Sequence, residues 1–122
     1  MIRSSYQDLR VWQKAMNLAD LSYDFCTNFP QQEMYGLRSQ LQRAAVSIPS
    51  NIAEGSQRTS DKEFANFLRI ARGSLAELET QVLLSVKRKF GNPEIGRKIL
   101  RESEELSKML YALCSKLTAH SS

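Results

Sequence analysis

The sequence of 122 residues holds few of the residues that mark turn-rich, disulfide-bonded or metal-binding proteins. It contains three prolines, five glycines, two cysteines and one histidine. So little proline and glycine argues against a disordered chain and against a turn-rich all-β fold. No window approaches the roughly 18 uncharged apolar residues of a membrane span, and the first residues lack the apolar core of a signal peptide. We therefore expect a cytoplasmic protein without a membrane partner.

Apolar residues recur every three or four positions along most of the chain, which is the period of an amphipathic helix. No segment alternates between apolar and polar residues as a half-buried strand does. The predicted helices cover about residues 6–28, 32–55, 60–89 and 93–119. The pattern favours an all-α fold in which a single domain spans residues 1–122.

Local signals set the ends of these helices and one interruption. Pro49 lies inside the second helix, where a proline removes a backbone donor, so the sequence predicts a kink there or two shorter helices in line. The run Ser60-Asp61-Lys62-Glu63 fits a capping box and begins the third helix, which Gly91 is expected to stop. Asn92-Pro93 combines a good N-cap with a good first helical residue and begins the fourth helix.

Short connections force helices of about 33 to 42 Å to fold back on one another. The predicted architecture is an antiparallel up-down-up-down four-helix bundle. Its near end, as we call it, holds the turn between the first two helices and the turn between the last two. Cys26 belongs at this end, whereas Cys114 lies about 28 Å further along the fourth helix, which excludes a disulfide between them. Both are expected to be free core thiols.

The first helix carries a broad apolar surface that has two interpretations. One stripe consists of Leu9, Trp12, Met16, Ala19, Tyr23 and Cys26. Its flank consists of Val11, Ala15, Leu18 and Phe25. The two together could serve one wide core, or they could serve a core and a neighbouring subunit.

Positive charge is predicted to gather at the near end. The chain has 17 Lys and Arg against 13 Asp and Glu, a net charge of +4. The candidate nucleic-acid-binding residues are Lys87, Arg88, Lys89, Arg97, Lys98 and Arg101. Such a cluster could bind the phosphates of a nucleic acid. The alternative is that the cations of the third helix only complement its dipole, which does not explain Arg97 and Lys98 at the start of the fourth.

Residues for catalysis or metal binding are scarce. His120 is the only histidine and lies close to the end of the sequence, so no catalytic triad or di-iron motif has an ordered base or ligand. Glu77 and Glu79 lie about 200° apart around a helix and cannot serve one reacting centre. The sequence therefore predicts no enzyme, catalytic residue, metal, cofactor or small-molecule substrate.

Several polar residues are instead predicted to make structural contacts. Counting back around the turn at residues 55–59, between the second and third helices, places Arg38 level with the segment from Glu77 to Glu79. This position predicts an ion pair between Arg38 and one of these glutamates. The remaining candidates flank the core stripe or lie beside Pro49, where freed backbone groups need partners; they are Arg72, Glu79, Asn51 and Glu54.

Four stretches of the chain resemble a known family. They are DLRVWQKA at residues 8–15, FPQQEMYGL at 29–37, RAAVSIPSNIAEG at 43–55 and GSLAELET at 73–80. These stretches are similar to those of the bacterial four-helix bundle proteins encoded in intervening sequences of 23S ribosomal RNA genes. Relatives of that family include the accessory variability determinant proteins of diversity-generating retroelements.

The resemblance implies a small cytoplasmic protein without enzymatic activity that forms a homopentamer. It further implies a role in binding structured RNA or a ribonucleoprotein, without supplying binding residues. The alternative is a protein-interaction scaffold that recruits another protein, such as a reverse transcriptase, and does not itself contact nucleic acid.

Overall fold

The structure, a computed structural model, describes residues 5–119 and contains four α-helices. They are α1 (Arg10–Cys26), α2 (Leu37–Ser56), α3 (Asp61–Lys87) and α4 (Pro93–Thr118), and short 3₁₀ helices cover Tyr6–Asp8 and Gln31–Glu33. Residues 5–119 contain no strand. The all-α prediction is therefore confirmed.

Consecutive helices pack side by side, and α1 closes the bundle by packing against α4. Contacts between α3 and α4 show that neighbouring helices run in opposite directions. The Sγ atom of Cys114 lies 3.7 Å from the carbonyl oxygen of Ala65, and the guanidinium of Arg72 lies over the ring of Tyr111. Positions that rise along α3 thus meet positions that fall along α4. At the α1–α4 interface Lys14 pairs with Glu102, whereas Asp24, later in α1, shares a groove with Lys98, earlier in α4. At the α2–α3 interface Ser47 contacts Ser74, whereas Gly55 lies against Phe67. These contacts follow the same reversed order, as predicted for an up-down-up-down bundle.

The core face of α1 is rotated relative to the predicted stripe. Val11, Leu18 and Phe25, which the sequence places on the flank, are buried in the core. Met16 and Tyr23, which it places on the stripe, are 44% and 47% exposed. Of the two interpretations of this broad surface, the structure thus assigns the flank to the core and leaves part of the stripe on the outside.

Both cysteines are free and buried, as predicted. Burial raises the pKa of the Cys26 thiol to about 11, and the nearby Arg38 guanidinium opposes this shift only in part. Arg38 lies in the first turn of α2, whereas Ala65, the partner of Cys114, lies in the second turn of α3. The two thiols therefore belong to opposite ends of the bundle.

The first two helices begin later than predicted. Leu9 adopts an extended conformation and separates the first 3₁₀ helix from α1. The predicted second helix at 32–55 begins at Leu37, because Gly36 has φ −107° and ψ −117°, which is not helical. The Glu33 Oε1 atom accepts a hydrogen bond of 3.1 Å from the backbone N–H of Leu37 and so caps α2 from outside the helix.

Helix α2 runs through Pro49 without a break, so the alternative of two shorter helices is wrong. The kink stays a prediction. Asn51 donates from Nδ2 to the Ser47 carbonyl at 2.8 Å and to Ser47 Oγ at 2.9 Å. Ser47 Oγ in turn lies 2.9 Å from Ser74 Oγ of α3. Asn51 therefore anchors a polar link between α2 and α3. It does not bind the carbonyl of Ala45, which is the group that Pro49 leaves without its partner within the helix.

The caps predicted for the last two helices are present. Ser60 Oγ accepts from the backbone N–H of Glu63 at 3.1 Å, and Asn92 Oδ1 accepts from that of Glu94 at 2.8 Å. Each of these acceptors satisfies a backbone donor that the first turn of a helix leaves free.

Helix α3 ends at Lys87, two residues earlier than predicted, and Gly91 is not its stop signal. The backbone N–H of Phe90 donates to the Ser85 carbonyl, and that of Lys89 donates to the Val86 carbonyl. This is the Schellman pattern, in which one residue takes a left-handed conformation. Here that residue is Lys89, with φ 63°. Gly91 also has a positive φ, of 74°, and lies against the rings of Phe25 and Phe29.

Helices α2 and α3 approach each other closely at Gly55, the last residue of the SIPSNIAEG run at residues 47–55. A methyl group at this position would lie 2.5 Å from the Cβ atom of Phe67 and 3.1 Å from the ring of Phe64. Only glycine therefore fits between these helices without moving one of them.

Replacing Gly55 by alanine is expected to lower the free energy of unfolding by about 1–3 kcal/mol, the usual cost of overpacking a core. The matched control is Gly73→Ala, because Gly73 lies in the same helix pair with no atom within 4 Å of an added methyl group. The control should raise stability by about 0.5–1 kcal/mol, since alanine favours the helix. Urea unfolding monitored by circular dichroism measures both. Equal changes in unfolding free energy for Gly55→Ala and Gly73→Ala would contradict the close approach of α2 and α3 at Gly55.

Two substitutions in the turn between α3 and α4 should act in opposite directions. Lys89→Gly relieves a left-handed lysine and is expected to stabilise by up to about 1 kcal/mol. Gly91→Ala should destabilise by about 1–3 kcal/mol, because the methyl group would lie 2.7 Å from the Phe25 ring and 2.9 Å from the Phe25 carbonyl. Thermal unfolding separates them, and a melting temperature raised by Gly91→Ala would refute the described turn.

Candidate nucleic-acid interface

Three consecutive cations end α3 at the near end of the bundle. Lys87, Arg88 and Lys89 are all exposed. Among the described residues, no carboxylate lies within ion-pairing distance of any of them. The chain leaves the helix direction at Lys89, the left-handed residue of the Schellman turn. We call these three residues the cation triplet.

The other three candidate cations, on α4, have different surroundings. Arg97 is exposed and forms an ion pair with Glu94 one turn before it. Lys98 lines a groove of about 320 Å³ between α1 and α4 that also contains carboxylates, namely Asp20, Asp24 and Glu102. Arg101 is exposed and has no ion-pairing partner in the part of the chain that the structure describes. The six predicted residues therefore share one end of the bundle but do not form one uniform positive surface.

Aromatic side chains hold the two near-end connections together. The ring of Phe29, in the connection between α1 and α2, lies 5.8 Å from that of Phe90, in the connection between α3 and α4. Phe29 also lies 5.3 Å from the ring of Phe25 in an edge-to-face arrangement. Edge-to-face and tilted pairs of this kind are favourable. They fix the position of the turn that carries the cation triplet.

The predicted ion pair between Arg38 and the segment from Glu77 to Glu79 does not form. Ser47 lies opposite Ser74, so the register of α2 against α3 places Arg38 beyond both glutamates, about one turn nearer the end of α3. The residue count misplaced Arg38 because α3 begins about one turn beyond the level at which α2 ends, whereas the count set the two helix ends level. Arg38 instead lies near Cys26.

The two glutamates face different neighbours, as their predicted separation around α3 requires. Glu77 lines a groove between α2 and α3 that also contains Arg43. Glu79 lies in a groove between α3 and α4 of about 360 Å³. Burial raises the pKa of the Glu79 carboxyl group, and the carboxylate of Glu104 raises it further.

The remaining polar candidates make local contacts. Glu54 forms an ion pair of 3.1 Å with Arg58, four residues along, and not a contact beside Pro49. The Arg72 guanidinium lies 5.0 Å from the centre of the Tyr111 ring, a cation–π contact on the surface of the α3–α4 groove. These residues join neighbouring turns and helices and bring no reactive groups together.

An exposed apolar surface lies along α1 and α2. Its members are Met16, Tyr23 and Val46, each between 43% and 47% exposed. We call it the α1–α2 face. Met16 and Tyr23 belong to the predicted apolar stripe of α1, whereas nothing in the sequence singled out Val46, since the periodicity of α2 gives only its core face. Tyr23 and Val46 line a groove of about 500 Å³ together with polar residues of α2, among them Gln42 and Arg43.

Metal sites and membrane spans were the other two possibilities for the described residues. Between residues 5 and 119, no three His, Cys, Asp or Glu side chains are grouped so that they could hold a metal ion. No helix in that range has the length and apolar character needed to cross a membrane. His120 lies outside the described residues.

Comparisons with known proteins identify the family. The family model of the 23S rRNA-intervening sequence protein matches residues 7–112. A similar solved structure is that of a protein with unknown function from the S23 ribosomal protein family of Bacteroides thetaiotaomicron VPI-5482. It shares 28% sequence identity and a TM-score of 0.76, over 85% of this chain and 97% of that chain. No curated protein matches this chain. The chain belongs to the 23S rRNA-intervening sequence protein family.

Proposed function

We propose that this protein is a cytoplasmic, non-enzymatic oligomer that binds structured RNA or a ribonucleoprotein through the near end of its bundle. The observation that carries the proposal is the cation triplet of Lys87, Arg88 and Lys89. These side chains are exposed and, in the described range 5–119, lack carboxylate partners. Membership of a family associated with 23S rRNA genes makes RNA the natural polyanion.

The helix dipole does not account for the whole triplet. The C-terminus of a helix carries the equivalent of about half a negative charge, which a single cation more than balances. The Schellman turn also satisfies two of the last carbonyl groups with backbone donors. A net positive charge therefore remains at the end of α3, and binding phosphates there would release counterions from RNA.

Assembly would multiply this charge. The α1–α2 face exposes three large apolar side chains along two neighbouring helices, and a second copy of the chain would cover them. We propose a homopentamer, the state that the family resemblance implies. Several cation triplets on one ring would bind a single RNA with greater avidity than one triplet alone.

A protein-interaction scaffold is the second candidate, and the same α1–α2 face favours it. Apolar side chains exposed on a helix pair could recruit a different protein, such as a reverse transcriptase, instead of another copy. RNA would then be contacted only through that partner. The two candidates differ in whether the purified protein alone binds RNA.

Neutralising the cation triplet is expected to weaken RNA binding. The variant Lys87→Gln, Arg88→Gln, Lys89→Gln should lose affinity for a fluorescently labelled RNA hairpin. The slope of log K against log salt should fall by about 0.7–0.9 for each phosphate contact removed. Fluorescence anisotropy over a series of potassium chloride concentrations measures both quantities.

The matched control removes the same charge elsewhere. Lys62, Arg69 and Lys116 are exposed cations away from the near end, and neither ion pairs nor hydrogen bonds engage them in the described structure. Their triple glutamine variant should keep most of the affinity and slope. An equal loss in both variants would show a general charge effect, and the absence of binding by the wild-type protein would favour the scaffold.

Disrupting the α1–α2 face is expected to dissociate the assembly. Light scattering should give the wild-type protein a mass five times its chain mass of 13.9 kDa. The variant Tyr23→Lys, Val46→Lys should approach the mass of one chain, because two charges would be buried at the contact. Circular dichroism should show that its helices remain. A wild-type mass of one chain would contradict the proposed oligomer.

A further inference from the structure

Tyr35 is the most exposed of the large apolar and aromatic side chains in the described part of the protein. It is 91% exposed, compared with 59% for Tyr111, the next most exposed aromatic residue. No aromatic ring, cation or hydrogen-bond partner contacts its side chain within residues 5–119. Packing within the bundle therefore gives no reason for an aromatic residue at this position.

The backbone around Tyr35 is held in a defined turn. The N–H of Met34 donates to the Gln31 carbonyl at 3.1 Å, and the N–H of Gly36 donates to the Glu33 carbonyl at 3.1 Å. The Glu33 carboxylate is engaged by the first turn of α2. The ring of Tyr35 is thus presented to solvent from an ordered connection, so binding would not have to order the backbone there.

The register of the bundle places Tyr35 at the same end as the cation triplet, on the neighbouring helix connection. Ser47 of α2 contacts Ser74 of α3, and the two helices run in opposite directions. Each step back along α2 from Ser47 is matched by one step forward along α3. Continued to Leu37, the first residue of α2, this register reaches Leu84 of α3, about one turn before Lys87. Tyr35 lies two residues before Leu37, in the connection at the same end of the bundle.

An exposed aromatic ring at the same end of the bundle as unpaired cations matches the chemistry of an unpaired nucleotide. Aromatic rings stack on nucleobases, and adjacent lysine and arginine side chains bind the phosphates. In a continuous duplex the bases are stacked within the helix, and the deep, narrow major groove of RNA keeps side chains from their edges. The ring can therefore be used only where RNA has an unpaired base.

We propose that Tyr35 stacks on an unpaired base of RNA whose phosphates contact the cation triplet, so that the near end binds an RNA loop or single-stranded segment and not a continuous duplex. This inference rests on the proposed function and specifies its ligand. The charge carries affinity for any RNA, and the ring carries the preference for unpaired bases.

The test compares two RNAs of equal length and charge, a hairpin with an open loop and a blunt duplex. Tyr35→Ala should weaken hairpin binding about tenfold, within the range for loss of one stacked base. Tyr35→Phe keeps the ring and should bind within about twofold of wild type. Duplex binding and the salt dependence should not change in either variant, because the charges remain. Tyr111→Ala is the control for loss of an exposed tyrosine elsewhere.

A fluorescent base gives a second readout. The emission of 2-aminopurine in the loop should be quenched by the wild-type protein and by Tyr35→Phe, and not by Tyr35→Ala. An unchanged hairpin affinity in Tyr35→Ala, or an equal loss for hairpin and duplex, would overturn the stacking role.

The remaining outcomes separate this inference from the proposed function. If the cation-triplet variant loses RNA affinity while Tyr35→Ala does not, the stacking role is wrong and the function stands. If Tyr35→Ala lowers the mass found by light scattering, Tyr35 is a subunit contact and the stacking role is wrong. If the wild-type protein binds neither RNA, both proposals fail.

Discussion

Close packing of four apolar helix faces into one core is the constraint on which the other features depend. The core holds buried side chains from all four helices, including Leu18, Leu41, Leu75 and Leu106. Because interiors pack densely, the helices cannot slide past one another without opening voids. Their register is therefore fixed, and it determines which residues of the connections and helix ends become neighbours.

At the near end, core packing fixes the position of a turn that carries surface charges. Gly91 fits between the rings of Phe25 and Phe29 and a backbone carbonyl, and Phe90 packs on Phe29. The turn after α3 is thus held against the core on one side. Its cations face solvent on the other side, where they have positions defined by the fold rather than by a flexible tail. Charges on a rigid turn can favour one arrangement of phosphates.

The sequence was sufficient for what depends on periodicity and local capping. Helix number, the order of the helices and the caps at Ser60 and Asn92 follow from spacing within a few residues of each site. The sequence did not predict which side of α1 faces the core. Tyr23 and Phe25 both fit an apolar face, and only packing against the other helices determines that Phe25 is buried and Tyr23 exposed. The end of α3 was misjudged because Lys89, and not glycine, takes the left-handed position.

Longer-range geometry was harder to predict for a different reason. The position of Arg38 depends on how far α2 and α3 overlap at their turn, which a count of residues does not give. Likewise, charge alone could not separate the cation triplet from Arg97, which is paired, or from Lys98, which lies among carboxylates. Tyr35 could not be singled out either, because its importance comes from its exposure and not from its place in a pattern.

The central claim is that the near end of the bundle is the surface that meets RNA. Ultraviolet crosslinking in living cells, followed by mass spectrometry of the crosslinked peptides, tests it most directly. The expected result is nucleotide adducts on the segments that contain Tyr35 and Lys87. Adducts confined to the α1–α2 face or to the opposite end of the bundle, or no crosslinked RNA, would contradict it.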